Sequence, residues 1–142
     1  MKPIVMSVLI AGIIVPGVAF GAERKHQDEE CSVATLFGDY LFTGRADNPA
    51  YAHTAGFPRA FAGVFTFDGE GKMSGVSSQS LGGVIRRVNV SATYTLDSDC
   101  TGTLTFASDG QLFQIFIARD GSEGNFIRAD EGTIATRTIK RQ

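Results

Sequence analysis

The chain contains no tryptophan and, among 142 residues, only two cysteines, two histidines and four prolines. The histidines, His26 and His53, have no paired spacing, so zinc motifs of the usual kind are excluded. No Ser/His/Asp set occurs in a strand–elbow–helix setting, so no hydrolase nucleophile can be assigned. Beyond residue 21 no stretch shows a capped 3.6-residue period, which argues against helices. No basic stripe with interleaved aromatics appears, and the net charge is −2, so nucleic acid is not an expected partner. Neither a cofactor nor a metal is expected.

What is present begins with an export signal. Met1-Lys2 is followed by an uncharged, mostly apolar run from Ile4 to Val15. Pro16 and Gly17 break that run, and Ala19-Phe20-Gly21 supplies small residues for cleavage after Gly21. A membrane anchor is the competing reading, weakened by the Gly/Pro interruption, because a spanning helix needs about 20 predominantly apolar residues. Residues 1–21 are thus expected as a signal peptide, 22–36 as a flexible charged leader, and 37–142 as one domain. The expected location is secreted or periplasmic, with no stable membrane span after cleavage. In that setting Cys31 and Cys100 predict one disulfide.

From Phe37 onward the pattern is β. Runs rich in Phe, Val, Ile, Thr and Tyr alternate with Gly, Asp and Ser clusters, giving strands at 38–44, 59–67, 72–78, 84–96, 101–107, 111–118, 125–129 and 133–140. The links between later strands are short, which favours an antiparallel meander and leaves no room for parallel crossovers. An all-β, eight-stranded antiparallel up-and-down barrel follows, with a two-sheet sandwich as the alternative. The single long link, 45–58, holds two prolines with Tyr51, His53 and Phe57, and reads equally as a lid over one mouth or an Ω-loop. The stretch Phe65 to Gly75, "FTFDGEGKMSG", has the acids of an ion loop but places Lys72 where a third ligand belongs. A hairpin turn explains it instead.

Alternation puts Phe61, Phe65 and Phe67 on one face of the second strand. It groups Tyr94 and Arg86 with the valines of the fourth, and Phe106 with Leu104 in the fifth. The sixth strand, from Gln111 to Ala118, is apolar on both faces. It is therefore a central strand, or one covered on its outside by a loop or by an oligomer partner, and Gln114 shares parity with Leu112 and Phe116. Arg128 shares parity with Phe126. If these faces point inward, Phe61, Phe65, Phe67, Arg86, Tyr94, Phe106, Gln114 and Arg128 are the candidate ligand-binding residues. The competing reading has the arginines reach solvent near strand ends and pair with turn carboxylates, and keeps Tyr94 in the core.

Three segments carry a resemblance: Gly38-Asp39-Tyr40, "GVFTFDGEGKMSG" from Gly63 to Gly75, and "ATYTLDSDCTGTLTF" from Ala92 to Phe106. Together they resemble uncharacterised secreted bacterial calycin-like, allene-oxide-cyclase-type β-barrel proteins, over roughly Phe37 to Lys140. The Gly-x-aromatic start and a late basic residue, Arg137 or Arg141, are also similar to lipocalins, which have Trp at the aromatic place. The resemblance implies a barrel that binds an apolar molecule and transfers no catalytic residue. The expected function is binding of a small, mostly apolar ligand inside the barrel. The alternatives are a cyclase- or isomerase-type enzyme in which Tyr94, Arg86, Gln114 or Arg128 orients the substrate, and a non-enzymatic envelope interaction module with a filled core.

Overall fold

The computed structural model describes residues 30–47 and 58–142. Eight antiparallel strands close into a barrel in chain order. They are β1 (Phe37–Asp47), β2 (Arg59–Asp68), β3 (Lys72–Leu81), β4 (Val84–Leu96), β5 (Thr101–Phe106), β6 (Leu112–Ile117), β7 (Glu123–Arg128) and β8 (Ile134–Arg141). The ring is sealed where β1 pairs with β8, from Tyr40 opposite Arg141 to Asp47 opposite Ile134. That seam removes the free edges a sandwich would keep, so the sandwich alternative is excluded. The seam also lengthens β1 past its expected end at Gly44, because Ala46 finds partners on both sides, Arg59 and Ala135.

Turn chemistry sets the hairpins. Gly69 and Gly71 adopt φ of +76° and +102°, a region closed to most side chains. Asp68 Oδ1 accepts the Glu70 and Lys72 amides at 2.7 and 2.9 Å, so the acids of "FTFDGEGKMSG" organise the turn itself. The link between the strands expected at 72–78 and 84–96 tightens to Gly82-Gly83, because Leu81 pairs with Val84 and both glycines take positive φ, as hairpin twist requires.

The barrel has two unlike ends. At the lower end lie the β2–β3, β4–β5 and β6–β7 turns, together with a 3-10 turn at Val33–Thr35. The predicted Cys31–Cys100 disulfide is present there, across 69 residues of sequence. The leader expected to reach Leu36 is shorter at that edge: Leu36 is fully buried, and Cys31 is tied to the barrel. An apolar Leu directly before the first strand has more to gain from the barrel interior than from water. Residues 1–29, with the expected signal and most of the leader, lie outside the described residues, as does 48–57 of the long link with its lid or Ω-loop reading. The strand ends flanking that link, Asp47 and Arg59, are at the upper end.

Inward positions follow the two-residue period. Tyr40, Phe65, Phe67, Phe113 and Phe126 are almost wholly buried, and each such side chain contributes roughly 1.5–3 kcal/mol. Outward positions carry polar ladders, such as Thr43 with Thr138 and Thr95 with Thr103. The two-faced β6 resolves with Phe113, Ile115 and Ile117 inward and Phe116 half exposed outside.

Candidate ligand site

The interior is filled below and hollow above. In the lower half, rings meet edge to face: Tyr40 with Phe67 at 5.2 Å, and Phe67 with Tyr94 at 5.3 Å between centroids. Each polar tip there is satisfied. Tyr40 Oη donates to the Gly121 carbonyl at 2.6 Å, and Tyr94 Oη reaches the carbonyls of Val33 and Leu36 at 2.8 and 3.1 Å. Burial, the largest influence, pushes the Tyr94 hydroxyl above its ordinary pKa. Arg141 lies over the Tyr40 ring and donates to Tyr40 Oη and the Thr35 carbonyl. Arg141, rather than Arg137, is thus the late basic residue that meets the Gly-x-aromatic start.

The column of rings continues upward and ends in a cavity. Phe65 stacks on Phe42 at 3.8 Å and 9° and tilts against Phe106 at 6.2 Å. Gly63 makes room for this stack: a Cβ there would stand 2.8 Å from the Phe42 ring and closer still to the Val76 carbonyl. Above Phe65 opens a cavity of about 290 Å³ walled by Phe61, Phe106, Val90, Ala46 and Ala135. Polar groups sit around this wall: Ser77, Gln79, Arg59, Arg128, Arg137 and Asp109. Ser108, Gln111 and Thr133 complete the lining, so polar residues outnumber apolar ones on this wall, whose apolar part is supplied mainly by rings. About 300 Å³ is the lower end of the usual size range of a small-molecule site.

Arg137 is the unusual member. It is 8% exposed, and its guanidinium carbon lies over three rings, at 5.1 Å from Phe61, 4.5 Å from Phe106 and 4.7 Å from Phe113. Gly44 opposite gives it passage, since a Cβ there would fall 2.7 Å from Arg137 Cγ. Ring faces offset part of the cost of burying the cation. They provide no oxygen acceptor, and Arg137 Nε has no partner among the described residues. Desolvation, then the charge of Arg128, lowers its pKa to about 10 against a small opposing pull from Asp109, so it stays protonated at neutral pH. Arg59 Nε, on the same cavity, is likewise unpartnered among the described residues. Arg128 is different: it pairs with Asp130 at 2.9 Å, and Asp130 in turn accepts the Leu112 amide.

The structure divides the predicted site residues. Phe61, Phe65, Phe106 and Arg128 come together on the cavity. Phe67 and Tyr94 fall in the filled half below it. Arg86 has inward parity but is exposed, because residues 84–90 pair with β3 alone and that arm outruns β5. Gln114 is exposed on the outer face, since the larger apolar set of β6 took the interior. Of the four residues named for an enzyme, only Arg128 therefore lines the cavity. Sequence reasoning missed Arg137, Arg59, Ser77 and Gln79 as wall residues. A signal existed for the two arginines: Arg137 alternates with Thr136 and Thr138 between Ala135 and Ile139, and Arg59 sits two residues before Phe61. Among the described residues no three His, Cys, Asp or Glu gather as a metal site would require, and no helix is long and apolar enough to cross a membrane.

No protein-family model matches the chain, and no curated protein matches it. Solved structures do. A redesigned β-barrel, mFAP1, solved bound to DFHBI, is similar with a TM-score of 0.51 at 19% identity, over 77% of this chain and 97% of its own. The siderocalin Ex-FABP, described as functioning through dual ligand specificities, gives 0.46 at 14% identity, over 76% and 74%. A de novo designed fluorescence-activating β-barrel gives 0.48 at 14% identity, over 79% and 99%. The likeness to mFAP1 agrees with the closed register of the strands: the chain has an eight-stranded antiparallel up-and-down barrel fold.

Proposed function

We propose that this protein is a secreted or periplasmic barrel that binds a small, mostly apolar ligand in the upper half of its interior. The observation that carries the reading is the cavity of about 290 Å³ bounded by Phe61, Phe65 and Phe106. A barrel evolved only as a filled module has no reason to stop its ring column halfway, since each empty volume in a core forfeits dispersion contacts. The disulfide supports a location outside the reducing cytosol. The fold is shared with mFAP1, a barrel solved with DFHBI bound.

The test is binding of a neutral apolar dye, N-phenyl-1-naphthylamine, followed by its fluorescence rise. Native protein is expected to bind it. Ala46→Phe, which puts a ring into the half-buried mouth, is expected to weaken binding by about tenfold, as when a formed pocket is occupied by protein. No fluorescence rise, or a rise indifferent to Ala46→Phe, would overturn the reading.

A further inference from the structure

The cavity wall carries more positive charge than its surroundings explain. The chain is net negative, yet three arginines, Arg59, Arg128 and Arg137, border this one space against a single carboxylate, Asp109. Asp109 is exposed at the rim, where Gln111 Nε2 donates to it. Among the described residues the only ion pair is Arg128 with Asp130, so Arg137 and Arg59 face the cavity without an anion. The part of the upper link outside the described residues, 48–57, contains no Asp or Glu, so that segment has no carboxylate to supply.

A buried cation without a counter-ion is costly, and removing the cost calls for an anion that arrives with its own apolar body. The shape of the site narrows the anion. Three rings bear on the Arg137 guanidinium carbon, which leaves the planar N–H edge as its means of hydrogen bonding. A planar carboxylate matches that edge by two parallel bonds.

We infer that the ligand is a small carboxylic acid with an aromatic or aliphatic body, its carboxylate held by Arg137 with Arg59 assisting at the mouth. This rests on the reading that the cavity binds a ligand. Ser77, buried on β3, and Gln79 add neutral hydrogen-bonding groups on the same wall. Arg137 acts by attraction and orientation, with no covalent step.

The experiment compares two nearly isosteric molecules, 1-naphthylacetate and 1-naphthylacetamide, by calorimetry on the native protein and on Arg137→Met and Arg59→Met. On native protein the acid should bind about tenfold or more tightly than the amide, the gain expected of a charge-assisted hydrogen bond over a neutral one. Arg137→Met should erase that preference, which is read as the acid-to-amide ratio so that any general change in cavity affinity cancels. Arg59→Met should reduce the preference and leave part of it. Equal binding of acid and amide by native protein, or a preference that survives Arg137→Met, would overturn the carboxylate assignment. If the dye binds in that event, the cavity reading stands alone; if none of the three molecules binds, both fall. Should Arg137→Met not fold, the acid-to-amide ratio on native protein and on Arg59→Met decides the matter without it.

Discussion

The two halves of the barrel are built from the same parts and differ in whether those parts are satisfied. Below, Arg141 lies over Tyr40 and spends its donors on a phenol oxygen and a backbone carbonyl. Above, Arg137 lies over Phe61, Phe106 and Phe113 with its Nε unpartnered among the described residues. An arginine on aromatic rings is therefore not itself a sign of a site. The sign is an arginine on aromatic rings with its hydrogen bonds still to be made. Folding stability should reside mainly in the lower half and ligand selection in the upper.

The largest effect is expected from the lower end. Cys31–Cys100 spans 69 residues, and a cross-link of that length is worth about 4 kcal/mol in the chain-entropy picture. Cys100 itself has φ +69°, a left-handed conformation uncommon for a non-glycine residue, in a turn closed by its amide on the Asp97 carbonyl. The double variant Cys31→Ala/Cys100→Ala should lose about that much stability in urea unfolding. Affinity for N-phenyl-1-naphthylamine, measured well below the unfolding transition, should change little. A large loss of affinity in folded protein would show that the halves are not independent.

Next in size is the contrast between the two arginines. Arg141→Met removes donors from Tyr40 and Thr35 at a largely exposed position, so screening leaves a cost of about 1 kcal/mol. Arg137→Met removes a buried cation that lacks a counter-ion and keeps most of its volume, so stability should hold steady or rise. Paired thermal melts of the two variants read this directly. If Arg137→Met is the more damaging, its ring contacts hold the fold and the upper half is a core like the lower.

How much of this division could be seen in the sequence depends on which force decides each feature. Strand number, meander order and the disulfide rest on local turn chemistry and on cysteine count, and these were legible. The facing of Phe61, Phe65 and Phe106 was legible from alternation alone. What alternation cannot supply is height within the barrel. Tyr94 and Arg86 share parity on one strand, yet one is buried beside the 3-10 turn and the other is exposed past the end of β5. Phe67 and Phe65 likewise share a face, and only Phe65 reaches the cavity. Height follows from register across the whole ring, a sum of eight pairings that no single segment encodes. Arg137 escaped for a related reason. Its role depends on Gly44 leaving space opposite it and on rings from three other strands, β2, β5 and β6, arriving at the same level.

The smallest expected effect tests the turns that carry the lower end. Asp68 accepts the amides of Lys72 and Glu70, and these bonds hold its carboxyl below the usual value near 3.8. A carboxyl whose folded pKa lies below its unfolded one stabilises the fold above the unfolded pKa, and that stabilisation is lost as pH falls through the folded value. Asp120, at the lower β6–β7 turn, is depressed in the same way by the Ser122 amide and hydroxyl, and Asp99, at the β4–β5 turn, by the Thr101 hydroxyl and amide. Melting temperature should therefore decline below about pH 4, as these turns lose their charged acceptors. Asp68→Asn keeps an acceptor oxygen in the same position and removes the titration. Its melting curve should run lower than native at neutral pH and slope less steeply in acid, while dye affinity at neutral pH is unchanged, because Asp68 is not part of the upper cavity wall. An unchanged acid slope in Asp68→Asn would mean that this turn contributes nothing pH-dependent and that the acid sensitivity belongs to the other lower turns or to Asp130 at the upper rim, whose carboxyl is depressed chiefly by the Leu112 amide.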